Sequence, residues 1–266
     1  MPYQAQLLRP TMRPTHDTEA IVLRSRPFGE SDKIVSFLTQ SYGKISGIAK
    51  GASRSRKRFV NSLEPISLVN LRFQERPNAG LVFILGSDLV FGFPRLTTSL
   101  ERISHASYLV EITDGLTVER DDNLALFEHL KNGLYGLEAH GASLRFLTAF
   151  ELKLLQLAGY QPVLDCCKRC GLNRRQCGAQ RWHASPADGG LLCEACARAH
   201  KGVLPLGATA VEILTALQSG SQALPTSLFL PFSVIEEIRA AALRFIQFHI
   251  DREIKSASFL CQFSTV

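Results

Sequence analysis

Four cysteines form the most specific motif in the sequence. They fall in two C-x2-C pairs, Cys167 with Cys170 and Cys193 with Cys196, and 22 residues separate the pairs. Each C-x2-C turn directs two sulfurs at one point, so two turns together supply the four thiolates of a tetrahedral zinc site. Four protein ligands leave no open position for a catalytic water. The spacing therefore predicts one structural zinc ion per chain.

Other residues near this motif could replace one of the four ligands. Cys166 could take the place of Cys167 in a C-x3-C spacing, and Cys177, His183 or His200 could each substitute for one sulfur. A spare cysteine beside such a turn is more often a bystander, and a surface or capping role is the default for His200. Because the chain has no apolar stretch of the signal-peptide type, a disulfide framework explains its seven cysteines poorly.

Positive charge is concentrated in the first third of the chain. Residues 1–98 contain 14 Lys and Arg against 7 Asp and Glu, a net charge of +7, whereas residues 99–266 contain 16 against 17. No acidic residue occurs between positions 34 and 63. A basic region without counter-charges favours an anionic partner, most commonly nucleic acid.

The densest basic segment, residues 51–58, predicts a mobile DNA-binding loop. Its arginines can pair with phosphates, and its small residues let it follow a nucleic-acid backbone. Phe28, Tyr42 and Phe59 could stack on bases beside it, although the protein core is the more common location for any one such ring. The candidate DNA-binding residues are Arg24, Arg26, Lys33, Lys44, Lys50, Arg54, Arg56, Lys57, Arg58 and Phe59.

Five short β-rich segments are the elements that would present this loop. They span residues 20–24, 34–38, 44–49, 66–73 and 81–85 and are separated by turn residues. Five short strands must close on themselves to hide their edges, which favours an OB-type β-barrel.

After Pro94 the apolar residues recur at helical spacing. Ser99 and Asn123 are typical N-terminal caps for the first two of five predicted helices. The helices begin near residues 100, 124, 144, 208 and 233, and His249 in the last one is interpreted as a half-buried helix residue. The sequence thus predicts an α+β multidomain protein. Its predicted parts are a flexible N-terminal arm (1–18), an OB-fold DNA-binding domain (19–94), a helical domain in two pieces (95–160 and 203–266) and an inserted zinc-binding module (161–202).

Motifs of several enzyme classes are absent from the sequence. It contains no phosphate-binding loop for ATP, no H-E-x-x-H zinc-protease motif and no G-x-S-x-G serine-hydrolase motif. No apolar run approaches the roughly 18 residues needed to cross a bilayer. We therefore expect a DNA-binding protein that is neither an enzyme nor a membrane protein. The alternatives are a nucleic-acid enzyme with a zinc ribbon, an RNA-binding protein, and a zinc-stabilised adaptor that binds only proteins. The basic N-terminal third argues against the adaptor.

Several short motifs, in their order and spacing, resemble the bacterial RecO family of DNA repair proteins. They are EAIVLR (19–24), GESDKIV (29–35), YGK (42–44), AKG (49–51), LEP (63–65), GYQP (159–162), LD (164–165) and the two cysteine pairs with their adjoining glycines. The resemblance covers nearly the whole chain from about Glu19 onward. The 18 residues before Glu19, and the additional Cys166 and Cys177, depart from the family pattern.

The resemblance implies an OB domain, a helical domain and a zinc module inserted within the helical part. It also implies a cytoplasmic, nucleoid-associated recombination mediator of the RecFOR pathway. Such a protein binds single- and double-stranded DNA and anneals complementary strands. The implied partners are RecR and the C-terminal tail of the single-stranded DNA-binding protein, and the implied outcome is loading of RecA onto strands coated by that protein.

Overall fold

The computed structural model of the chain describes residues 14–55, 57–76, 80–174, 181–220, 230–257 and 260. This part of the chain contains nine strands and six α-helices. None of the helices found there has the length and apolar character needed to span a membrane.

Five strands form an N-terminal barrel. They are β1 (Thr15–Phe28), β2 (Asp32–Thr39), β3 (Lys44–Ala49), β4 (Leu68–Gln74) and β5 (Val82–Phe91). The strand order β1-β2-β3-β5-β4 returns to β1, and the strands are antiparallel except where β3 meets β5. This order confirms the predicted OB-type barrel, and β1 and β5 are considerably longer than the segments predicted for them.

Gly47 is the residue that lets the barrel close. It pairs with Val82 at the short contact between β3 and β5. A Cβ atom at Gly47 would lie 2.7 Å from side-chain atoms of both Val82 and Ile84. The missing side chain therefore makes room for two buried side chains of the neighbouring strand, as glycine commonly does at barrel closures.

The N-terminal boundary of the barrel differs from the prediction. The predicted flexible arm, residues 1–18, overlaps β1, because Thr15 to Thr18 pair with Gln74 to Leu71 of β4. An ion pair of 2.8 Å between Asp17 and Arg72 joins the same two strands. These ladder contacts hold the segment in the sheet, and the rest of the predicted arm, residues 1–13, lies outside the described residues.

Five longer helices follow the barrel. They are α1 (Leu100–Leu116), α2 (Leu124–His140), α3 (Leu144–Leu157), α5 (Ala208–Gln218) and α6 (Phe232–His249). The predicted caps are confirmed, because the Ser99 side chain accepts a hydrogen bond from the Arg102 N–H and the Asn123 side chain accepts one from the Leu126 N–H. Helix α1 packs on α2, while α3, α5 and α6 pack on one another.

The cysteine-rich segment forms a second, smaller sheet. Its strands are β6 (Val163–Cys167), β7 (Trp182–Ser185), β8 (Gly190–Cys193) and β9 (Leu204–Leu206), and the short helix α4 (Glu194–Ala197) follows β8. The strand order is β6-β8-β7-β9. Strand β9 lies beyond the predicted end of the module at residue 202, since its pairing with β7 completes the sheet. Trp182 and Leu191 share one apolar core with helical residues such as Leu214, so the module is continuous with the helices.

A buried ion pair joins α3 to α6. Glu151 has no exposed surface. Its carboxylate accepts a hydrogen bond of 2.5 Å from the Tyr108 hydroxyl and lies 2.5 Å from the Arg239 guanidinium. Since removing one partner of a buried pair leaves the other charge uncompensated, such changes are strongly destabilising.

Replacing Glu151 by alanine is expected to lower the free energy of unfolding by about 3–5 kcal/mol. The Arg239 guanidinium and the Tyr108 hydroxyl would both lose the carboxylate that they share. Tyr108→Phe is the matched control, because it removes one neutral donor and is expected to cost about 1–2 kcal/mol. Urea unfolding followed by circular dichroism measures both variants, and equal losses in the two would contradict the assignment of a buried charge pair.

Candidate metal centre and nucleic-acid interface

The four predicted ligands meet beside the smaller sheet. The Sγ atoms of Cys167, Cys170, Cys193 and Cys196 all lie within 4.8 Å of one another, and those of Cys170 and Cys193 are 3.7 Å apart. A tetrahedral ion with metal–sulfur bonds of about 2.3 Å has sulfur–sulfur edges of about 3.8 Å. A disulfide bond of about 2.05 Å would be far shorter. The cluster therefore has the donor set and the spacing of a four-thiolate metal site.

Secondary structure positions these sulfurs. Cys167 ends β6, Cys193 ends β8, and Cys196 lies in α4. Burial raises the pKa of the Cys167 thiol, but hydrogen bonds from the backbone of Cys170, Cys193 and Arg169 together outweigh it and lower this pKa to about 6. The thiolate is the form of cysteine that binds a metal, so the backbone favours the binding form at this position.

The alternative ligands have other neighbours. Cys166 forms an isolated β-bridge with Asn173. The Nε2 atom of His183 lies 2.9 Å from a Glu194 carboxylate oxygen, and Nδ1 of His200 lies 3.5 Å from Asp188. Cys177 falls outside the described residues. Among the candidate ligands that the structure describes, the four that converge are those of the two C-x2-C pairs, as the sequence spacing predicts.

Exposed cations lie at the rim of the barrel. The basic segment follows β3, and its residues Ala52–Arg54 form a single 3-10 turn. Arg58 donates a hydrogen bond of 2.8 Å to the Lys50 carbonyl, and Arg54 lies 3.8 Å from a carboxylate oxygen of Glu30. The exposed cations in this region are Arg26, Lys50, Arg54, Lys57 and Arg58, whereas Arg56 lies outside the described residues.

Three of the candidate DNA-binding cations form close ion pairs with carboxylates of the protein, in addition to the longer Arg54–Glu30 contact. Lys44 Nζ lies 2.9 Å from Asp114 Oδ1, and Lys33 Nζ lies 2.8 Å from Glu64 Oε1. Arg24 also contacts Asp114, although about half of its side chain is exposed. Because Lys44 is 13% exposed and already paired, its role is structural, and we correct its assignment as a DNA contact.

The candidate stacking residues differ in their exposure. Phe59 is buried in the barrel core, and the guanidinium of Arg58 lies over its ring at 5.0 Å. Tyr42 packs against the same core, with its ring 5.3 Å from that of Phe73. Phe28, at the end of β1, is exposed. The Phe59 ring is therefore not open to a base, which corrects its assignment as a DNA contact.

Asp114 is a junction residue that sequence reasoning missed. It lies on α1, its side chain is 2% exposed, and it contacts Arg24 of β1, Lys44 of β3 and Arg252 beyond α6. Burial raises its pKa, but the neighbouring cations, Lys44 first, have the larger combined effect and lower it below the usual value. The sequence did contain a signal for this role. Asp114 follows Val110 by one helical turn, and Val110 is buried, so the carboxylate of Asp114 lies on the buried face of the helix.

Two family models together match most of the chain. The model described as recombination protein O, N terminal, matches residues 12–93, and the model for its C terminal matches residues 97–258. The chain belongs to the RecO family. The gap between the two matches falls where the barrel ends and the helices of this RecO protein begin.

Curated relatives extend the same similarity. The DNA repair protein RecO of Syntrophus aciditrophicus is 38% identical over 206 residues, covering 76% of this chain and 78% of that protein. The RecO of Anaeromyxobacter sp. strain K is 37% identical over 240 residues (90% and 93%), and that of Myxococcus xanthus is 36% identical over 251 residues (93% and 97%). The resemblance first seen in short motifs is confirmed over most of the RecO chain.

Proposed function

We propose that this chain is a recombination mediator of the RecFOR pathway that binds single- and double-stranded DNA and anneals complementary strands. The observation that carries the proposal is the group of exposed cations at the barrel rim. That group consists of Arg26, Lys50, Arg54, Lys57 and Arg58. Apart from the long Arg54–Glu30 contact, no ion pair with a carboxylate engages these five side chains in the described part of the chain.

Annealing needs a surface that holds strands by their phosphates without enclosing the bases. Arginine and lysine at an exposed rim neutralise phosphates and reduce the repulsion between two strands. The rim loop contains Gly51 and two small residues, Ala52 and Ser53, so its backbone can approach a strand closely. No covalent bond is made or broken in annealing, and we propose that the chain acts without catalysing a reaction.

We propose further that the four-cysteine cluster holds one structural zinc ion. Four thiolates at these separations suit the tetrahedral preference of Zn²⁺. With four protein ligands, the ion would have no position for a reacting water. Because the core around Trp182 and Leu191 continues into the helices, the ion would brace the helical domain.

Membership of the RecO family supports a wider proposal about partners. We propose that this chain associates with RecR and with the C-terminal tail of the single-stranded DNA-binding protein, and helps load RecA at the nucleoid in the cytoplasm. The experiment is annealing of strands pre-coated with single-stranded DNA-binding protein, with and without RecR. Annealing of bare strands together with failure on coated strands would contradict the mediator role while leaving the DNA-binding role intact.

Charge reversal at the rim is expected to weaken DNA binding in a salt-dependent way. If about five cations meet phosphates, the slope of log affinity against log salt concentration is about −3.5 on single strands. Lys57→Glu should reduce the size of this slope by at least about 0.7, one phosphate contact. Fluorescence anisotropy of a labelled oligonucleotide over a salt series measures the slope, and reversal of Arg54, Arg56, Lys57 and Arg58 together should abolish annealing.

Lys153→Glu is the matched control. Lys153 is an exposed lysine on α3 whose Nζ donates to Gln156, so this variant has the same charge change away from the barrel. Its slope should equal that of the unchanged protein. A slope near zero for the unchanged protein, or annealing that survives the fourfold reversal, would contradict the rim as the binding site. Turnover of a nucleic acid that depends on a divalent metal would contradict the non-catalytic role.

A further inference from the structure

A second surface, far along the sequence from the barrel, combines exposed rings with unpaired cations. It is a cleft of about 400 Å³ between the smaller sheet and α6. One wall is the turn after β7 together with the loop before β9, and the other is the last two turns of α6. Its lining residues include Pro186, Lys201, Arg244, Gln247 and Phe248. We call this cleft and the rings that adjoin it the Phe248 surface.

Three rings form a continuous aromatic row at this surface. The rings of Tyr160 and His249 are stacked, with centroids 4.0 Å apart and planes inclined by 18°, and Phe248 meets His249 edge to face at 5.2 Å. Phe248 is 55% exposed and Tyr160 is 41% exposed. Burial lowers the pKa of His249, which favours the neutral form of its ring. Aromatic rings left this open to solvent offer faces and edges on which a flat ligand can pack.

The charged residues of the cleft are both positive. Its lining contains Lys201 and Arg244 and no carboxylate. The nearby Asp188 lies 2.8 Å from Arg169 and accepts a hydrogen bond from Ser185. Within the described part of the chain, no carboxylate lies within ion-pairing distance of Lys201 or Arg244. The cations are therefore available to an anionic ligand that enters beside the rings.

We propose that the Phe248 surface is a second contact site for single-stranded DNA. Proteins that bind single strands without sequence preference combine cations for the phosphates with aromatic side chains for the bases. This surface has both, whereas the described part of the barrel rim has cations and a buried Phe59. The inference rests on the proposed DNA-binding function and adds a second place for base stacking, with three rings in contact, beside the single exposed ring of Phe28 near the rim. It would let one chain hold a strand at two places.

Photo-crosslinking and affinity measurements test this site directly. The probe is a thymine oligonucleotide containing 5-iododeoxyuridine, which crosslinks to aromatic side chains in contact with the base. We expect a crosslink in the peptide containing Phe248 or in that containing Tyr160. Phe248→Ala should weaken binding of the same oligonucleotide at least about fivefold, the lower end of what one stacked base contributes. Arg244→Glu should reduce the size of the salt slope by about 0.7, and Arg244→Lys should retain it.

Phe232→Ala is the matched control, because Phe232 lies on the same helix, is 65% exposed and is outside the cleft. It should bind like the unchanged protein, and unchanged Trp182 fluorescence should confirm the fold of every variant. Unaltered affinity in Phe248→Ala without a crosslink at either ring would overturn the proposal. So would binding of an acidic peptide that Phe248→Ala abolishes while DNA affinity is unaltered, since the surface would then dock a protein.

The rim and the Phe248 surface fail in distinguishable ways. If the fourfold rim reversal retains affinity while Phe248→Ala loses it, the rim proposal is wrong and the present one is supported. If the unchanged protein binds no DNA, the proposed function itself is wrong, and this proposal is wrong with it. If rim reversal loses affinity and Phe248→Ala retains it without a crosslink, the rim is the DNA site and the Phe248 surface is not.

Discussion

Replacing Cys193 by serine is expected to abolish zinc binding and to unfold the smaller sheet. Cys193 ends β8, is buried, and lies opposite Trp182 in the β7–β8 pair. Without its thiolate, three cysteines remain, and a structural zinc site is almost always closed by four ligands. The sheet would lose the proposed ion, whose ligands lie on β6, β8 and α4 and on the turn after β6. Because the core of this sheet continues into the helices, the loss should also lower the stability of the helical domain.

The size of this effect follows from the energy of structural zinc sites. In zinc-finger peptides the apparent binding free energy is about 10–16 kcal/mol at neutral pH. We therefore expect Cys193→Ser to show the largest fall in melting temperature of any single change considered for this chain. Trp182 is the only tryptophan and is almost fully buried, so its emission should shift to the red in the variant. A strong chelator should produce the same shift in the unchanged protein.

Cys166→Ser is the matched control for this prediction. Cys166 adjoins a ligand in sequence and is partly buried, but it is not a member of the converging set. The variant should contain one zinc per chain by elemental analysis and keep the Trp182 emission of the unchanged protein. A Cys193→Ser protein with a full complement of zinc would contradict the ligand assignment. Loss of zinc in Cys166→Ser would place that cysteine in the site.

Features encoded by nearby residues were predictable from the sequence. The five barrel strands and the caps at Ser99 and Asn123 depend on local patterns of side chains, and the structure has both caps and a strand at each predicted segment, although β1 and β5 extend beyond theirs. The cysteine pairs also act locally, since each C-x2-C turn sets its own two sulfurs. For this site, the one prediction that joined distant residues was that the two cysteine pairs converge. The preference of zinc for four ligands is the physical reason for that prediction.

Contacts between distant residues were not predictable in the same way. A count of charges treats Lys44 and Lys57 alike, yet Lys44 is bound to Asp114, 70 residues away, and Lys57 is exposed. The general preference of aromatic rings for the core favoured a buried Phe59, yet its position beside the basic loop made it a candidate DNA contact, and only the fold shows that it lies in the barrel core. The pairing of Thr15–Thr18 with β4 depends on a partner more than fifty residues later. Only the fold shows which cations have a carboxylate partner inside the protein.

Replacing Asp114 by asparagine is expected to lower the free energy of unfolding by about 3 kcal/mol. The variant removes the charge that Lys44 faces, and Lys44 is too deeply buried to regain full hydration. Arg24 and Arg252 are 54% and 38% exposed, so their loss of a partner should add little. Since Asp114 joins β1 and β3 of the barrel to α1, the barrel and the helical domain should also unfold less cooperatively. Urea unfolding followed by circular dichroism measures both effects.

The difference between Asp114→Asn and the unchanged protein should depend on pH. Asp114 has a pKa below its usual value in the folded protein, while an aspartate in the unfolded chain has a pKa of about 3.9. A lowered pKa stabilises the fold fully above the unfolded value, and the contribution is lost as pH falls through the folded value. The gap in stability should therefore be constant from neutral pH down to about pH 5 and should narrow in stronger acid.

Two further variants separate a buried charge from a merely broken hydrogen bond. Glu119→Gln changes an exposed carboxylate at the same junction, where it accepts a hydrogen bond of 2.7 Å from Ser46, and should cost less than about 1 kcal/mol. Adding Lys44→Met to Asp114→Asn removes the stranded ammonium group and should recover much of the lost stability, because replacing both partners of a buried pair is often neutral. Lys44 Nζ also donates hydrogen bonds to the backbone carbonyls of Asp114 (2.7 Å) and Thr117 (3.2 Å) at the end of α1. If the double variant is less stable than Asp114→Asn alone, these backbone hydrogen bonds, rather than the charge pair, hold the junction together.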